Sequence, residues 1–204
     1  MTVPPEFLEG PEQIFPPGAR EAGHHGKVMI TALIGTDGRV TEAAVFQSSG
    51  SAELDQASLE TARAAVFSPA RDASGAAMEV RVRIPYDYSR AQSEAPGGGL
   101  AQYRCAHFAV DMDWWRATFP DQPWSEHELY AMINGVRYLT GSGGLAAAVR
   151  DRDRLRRELA DFDRRWIAAI DTCRQQPERR LVDVLQPEGA MIERLSDGLR
   201  AQGR

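Results

Sequence analysis

Lysine is almost absent from this 204-residue chain: Lys27 stands alone and every other basic residue is arginine. No apolar run reaches the roughly 18 residues that a membrane-spanning helix needs, so none is expected. The opening "MTVPPEFLEG" has neither the basic nor the apolar region of a leader. On that reading the chain is cytosolic or begins after a removed leader or anchor. Two cysteines, Cys105 and Cys173, allow at most one internal disulfide. The glycine clusters Gly97–Gly99 and Gly141–Gly144 do not lead from a strand into a phosphate-binding helix, which excludes Walker and Rossmann loops. His24 and His25 are adjacent, and neighbours on a strand point to opposite faces, so they do not share a metal. His107 and His127 are single residues at polar helical positions, where the surface is expected. No nucleophile or acid–base pair sits in a credible context. The expectation is therefore a non-enzyme with no cofactor and no metal. A net charge of −5 gives no reason to expect nucleic acid or an anionic membrane as partner.

Periodicity is present, and it changes character along the chain. Residues 27–35 alternate, with Val28, Ile30, Ala32 and Ile34 on one face. Residues 39–49 alternate again, Val40, Ala44 and Phe46 against Thr41, Ala43 and Val45. Between them Asp37-Gly38 is a hairpin signal, because both residues tolerate positive φ. Ser49 or Ser51 can cap a helix over 52–66 whose stripe is Leu54, Leu59, Ala62 and Val66. Residues 77–88 form the clearest strand. Met78, Val80, Val82, Ile84 and Tyr86 lie on one face and Glu79, Arg81, Arg83 and Pro85 on the other. Pro85 cannot donate a ladder hydrogen bond, which suggests a sheet edge. A short helical turn over 16–23 leads into the first strand. The polar, Gly/Pro/Ser-rich stretch 91–100 reads as a linker, so the expected division is a domain at 1–90 and a helical domain at 101–204.

In the second half Cys105, Phe108, Met112, Trp115 and Phe119 recur at helical steps. Ser125-x-x-Glu128 is a capping-box pattern for a helix bearing Leu129, Met132, Val136 and Leu139, ended by Gly141–Gly144. A long helix over 145–175 carries Leu155, Leu159, Phe162, Trp166, Ile170 and Cys173, with a solvated face of alternating charges opposite. Short helices over 177–185 and 190–201 complete the chain. Trp115 and Trp166 lie on the apolar stripes; Trp114 and Trp124 lie off them and are interface candidates.

An ordered set of small motifs runs through the first half: Phe15-Pro16, Gly26-Lys27-Val28, Asp37-Gly38-Arg39-Val40, Ser48-Ser49-Gly50, Leu54-Asp55, Phe67, Pro69-Ala70 and Gly75. In order and spacing it resembles the C-terminal domain of the TonB family of periplasmic energy transducers, over about residues 12–88. Phe15 stands where the family commonly has Tyr, and Glu12-Gln13-Ile14 where well-known members are Gln-rich. The resemblance implies an α+β fold, a small antiparallel sheet with helices on one face. It implies a periplasmic location, with an inner-membrane anchor if one was removed. It implies a non-catalytic function in binding proteins or extended peptides, such as TonB-dependent receptors, in energy-coupled transport. The docking edge would be the last strand, which gives Glu79, Val80, Arg81, Val82, Arg83 and Ile84 as partner-binding residues, with Phe15 and Pro16. A homodimer through the same edge is a further option. Arg81 and Arg83 either discourage aggregation or select an acidic partner. The helical half resembles, more distantly, the HdeA-type periplasmic proteins stapled by one disulfide. In that compartment a Cys105–Cys173 disulfide is expected, making the second half an all-α disulfide-stapled domain. The alternative function is a chaperone-like or regulatory helical domain on a TonB-like scaffold.

Overall fold

The computed structural model describes residues 3–89, 99–140 and 152–201. The chain divides into two units, Met1–Ser89 and Arg90–Arg204. Most of the expected linker (91–98), the Gly-Ser-Gly-Gly stretch 141–144 and the start of the helix expected over 145–175 (145–151) lie outside the described residues. The first unit runs β1 (Phe7–Glu9), α1 (Pro17–Glu21), β2 (Gly26–Ile34), β3 (Val40–Gln47), α2 (Ala52–Ala64), β4 (Val66–Phe67), β5 (Ala70–Arg71), β6 (Ala77–Met78) and β7 (Val80–Tyr88). The second runs α3 (Cys105–Thr118), α4 (Glu128–Thr140), α5 (Arg152–Gln175), α6 (Leu181–Val184) and α7 (Glu188–Ala201). Among the described residues no helix is long and apolar enough to cross a membrane.

Alternation in β2 is the organising signal of the first unit. Val28, Ile30, Ala32 and Ile34 are fully buried, and β2 lies at the centre of an antiparallel sheet of order β3-β2-β7. Helix α2 covers that face with Leu54, Ser58 and Ala62. Ser51 is its cap, accepting the Leu54 N–H. The helix ends at Ala64 rather than 66, because Val66 and Phe67 leave it to pair with β1. The strand expected over 77–88 is two pieces: β6 pairs with β5, and β7 pairs with β2.

The motifs of the first unit find structural uses. Gly38 has φ +83°, and a Cβ there would lie 1.9 Å from the Phe67 carbonyl oxygen. The turn therefore needs glycine twice, once for its backbone and once for the segment crossing it. Asp55 gathers the preceding loop: its carboxylate accepts the Ser48 hydroxyl at 2.5 Å and the Ser49 N–H and hydroxyl at 3.1 Å. In β3, Ala43 and Val45 are half-buried, while Ala44 and Phe46 are exposed.

Large aromatic side chains build the second unit. Phe108, Tyr130, Phe162 and Trp166 form its core with Met112, Ile133 and Leu181. The Cys105–Cys173 disulfide joins the start of α3 to the end of α5. Closing a loop of 68 residues stabilises by about 4 kcal/mol in the chain-entropy account. The expected stripe of α4 is rotated: Leu129, Tyr130 and Ile133 are buried, whereas Met132 is exposed. His127 is not a surface residue but 3% exposed. Its Nδ1 accepts the Leu129 N–H at 3.2 Å, so His127 takes the capping place that the sequence pattern gives to Ser125. Trp124 stacks on Trp115 at 5.0 Å and packs against the core. The charged face of α5 carries the pair Arg154–Glu158, but it is not all solvated. Arg165 reaches the buried Glu188 of α7 with two bonds, 2.5 and 3.2 Å.

Candidate protein-docking edge

Strand β7 is held on one side only. Its nine residues pair with β2 without a register break, from Val80 opposite Ile34 to Tyr88 opposite Gly26. Among the described residues no strand lies along its other side. Burial along β7 follows from this. Tyr86 and Tyr88 are buried under α2 and the N-terminal segment, while Val80, Val82 and Ile84 remain half-buried. The core face of the strand is thus finished at its C-terminal end and unfinished at its N-terminal end.

Main-chain groups of alternate residues point to opposite sides of a strand. The Asp87 carbonyl accepts the Gln13 side-chain amide at 2.7 Å, on the side away from β2. Arg81, Arg83 and Pro85 share that phase, so they present their main chain to the open edge. Pro85 has no N–H, and its place in this row leaves the β2–β7 ladder intact.

The predicted site residues fall into two groups. Phe15 packs edge-on against Tyr88 at 5.3 Å, and Pro16 starts α1, its carbonyl accepting the Arg20 N–H. Both lie beside the finished end of β7. Val80, Arg81, Val82, Arg83 and Ile84 form the unfinished end, and Glu79 is exposed between β6 and β7, outside the strand. The two arginines reach across the open face of the sheet. Arg81 pairs with Glu42 at 3.4 Å, and Arg83 lies 3.8 Å over the Phe46 ring. Each holds β7 to β3 across β2.

Two contributors escape a reading of the sequence. Gln13 is 74 residues from the carbonyl it binds, and nothing local signals the contact. Ser58 sits on the buried face of α2, donating to the Leu54 carbonyl and meeting the Tyr88 hydroxyl at 3.0 Å. A serine in an apolar helical stripe is the one sequence signal for it. Burial pushes the Tyr88 phenol above its ordinary pKa, against the opposing Ser58 hydrogen bond. Burial, with Tyr88 nearby, pushes Tyr86 up to about 12. Among the described residues no group of three or more His, Cys, Asp or Glu is arranged to hold a metal.

Residues 11–89 match the family described as Gram-negative bacterial TonB protein C-terminal. Among solved structures, the chain is similar to the TonB C-terminal domain of Pseudomonas aeruginosa. That likeness has 21% identity and a TM-score of 0.36, and covers 44% of this chain and 90% of that one. No curated protein matches the chain.

Proposed function

We propose, from the TonB C-terminal-like domain at residues 11–89, that this protein is a non-catalytic periplasmic interaction module that takes an extended peptide onto the open edge of β7. The observation that carries this is the unfinished stretch Val80–Ile84, with no strand along its outer side among the described residues and only half-covered on its core face. Main-chain bonds to Arg81 and Arg83 would supply affinity. Side chains of the peptide would complete the burial of Val80, Val82 and Ile84, giving specificity. Phe15 and Pro16 act by shaping the end of the strand. A TonB-dependent receptor is the class of partner that the family suggests, and coupling to outer-membrane transport the process. The test is an NMR titration of the full chain with extended peptides from such receptors. Amide shifts should concentrate at Arg81 and Arg83. Saturating binding that leaves both amides unmoved would overturn the edge-docking reading.

A further inference from the structure

We infer that the open edge of β7 is built to refuse a second copy of itself while leaving a short window for another protein's strand. The window part rests on the docking reading above; the refusal stands on the geometry of the edge alone. The edge row consists of Arg81, Arg83, Pro85 and Asp87. Its last carbonyl is occupied by the Gln13 amide at 2.7 Å, and Pro85 offers an acceptor without a donor. Full donor-and-acceptor exchange is therefore confined to Arg81 and Arg83.

Pairing of β7 with β7 of a second copy must be antiparallel about a two-fold axis. Centring the pair on Arg83 sets Arg81 opposite Pro85 twice, and each time one bond has no donor. It also sets Arg83 against its own copy. Centring on Pro85 leaves the central pair without bonds and places Arg83 opposite the Gln13-capped Asp87. Centring on Arg81 calls on Glu79, which lies outside the strand. One register avoids Pro85 and Asp87, with Arg81 opposite Arg83 and the converse. It keeps both exchanges but sets two arginine pairs face to face, which destabilises a sheet. Every register meets a missing donor, a capped acceptor, a strand end or like charges.

A heterologous strand escapes these penalties. It needs only two residues, two apart, bonded to Arg81 and Arg83, and it can carry acidic or neutral side chains there. On the other face it can carry β-branched or aromatic residues against Val80, Val82 and Ile84. The partner is thus an extended peptide of about five residues alternating apolar with acidic or neutral side chains.

Sedimentation of the full chain over a concentration series tests the refusal, with hydrogen exchange at 81–85 locating any contact. The native protein should show no concentration-dependent protection at 81–85. Pro85→Val returns a donor to the edge and should tighten self-association about tenfold or more. Arg83→Glu, which keeps the strand and reverses one charge, should associate with the native chain more tightly than either associates with itself. A native dimer protected at 81–85 would overturn the inference. So would folded Pro85→Val and Arg83→Glu variants that both associate no more than native. Failure of peptides to bind would strike the docking reading and leave these self-association results standing.

Discussion

The sheet unit buries mainly aliphatic side chains, Val28, Ile30, Ala32 and Ile34, with Tyr86 and Tyr88 at one end of β7, whereas the helical unit buries Phe108, Tyr130, Phe162 and Trp166. Connections differ in kind as well. Short main-chain pairings hold the N-terminal segment of the sheet unit: Val3 exchanges two bonds with Arg71, and the Glu6 carbonyl accepts the Ser68 N–H. Side chains at Val3, Phe7 and Leu8 stay exposed there. The helical unit has such pairings too, Leu181 to Tyr103 and Cys105 to Arg179, but adds a covalent bridge and the Arg165–Glu188 pair under α7. A sheet leaves an edge over once its core is filled, and a helical bundle does not. The unit with a surface to offer a strand is the one fastened without a covalent bridge.

The largest break in this contrast comes from removing the bridge. Cys105→Ser with Cys173→Ser should cost about 4 kcal/mol, confined to the helical unit. Hydrogen exchange read by mass spectrometry should show faster exchange in α3 and α5 and unchanged exchange in β2. Equal acceleration in both units would show that they unfold as one. Next in size is Gly38→Ala. It forces a side chain into positive φ and against the Phe67 carbonyl, and should cost about 2–3 kcal/mol. Denaturant unfolding should report the loss, with exchange rising first at 35–41 and 66–71. An unchanged midpoint would mean that the turn and the 66–67 segment do not lock each other.

The smallest effect sharpens the contrast by pH. Tyr86 is neutral in the folded sheet unit up to about 12, against an ordinary 10. A raised phenol contributes stability that is fully present below pH 10. It is lost as the pH rises towards 12, because the unfolded chain releases its proton first. The effect is on the order of 2 kcal/mol at most, spread over those two pH units. Phenolate absorbance followed during alkaline titration of the native protein should show a late-ionising step for Tyr86, with Tyr88 also delayed. Tyr86→Phe should remove that step and flatten the loss of stability between those pH values.

The strands β2, β3 and β7 were legible because alternation is local and long. The Asp37-Gly38 turn and the Ser51 cap were legible because each has its own side-chain chemistry. The short pairings β1–β4 and β5–β6 were not, since two or three residues carry no period. His127, expected at the surface and found buried, escaped for a related reason. Trp115 and Trp166, which surround His127 at 5.2 and 6.2 Å, lie far from it along the chain. A polar residue beside a turn looks solvated until the distant rings are in place. At the edge, Pro85 announced its own position, but Gln13 acquires a role only once the fold brings it to Asp87.

The unbroken pairing of β7 with β2 over nine residues also has a mechanical side. A peptide bonded along the outer edge and pulled parallel to β7 would load that ladder in shear, so that many bonds share the tension. The same peptide pulled at right angles would open bonds one after another, as a zipper does. Direction of pull would therefore decide the rupture force, and the edge would be strong along one axis and easily cleared along the other.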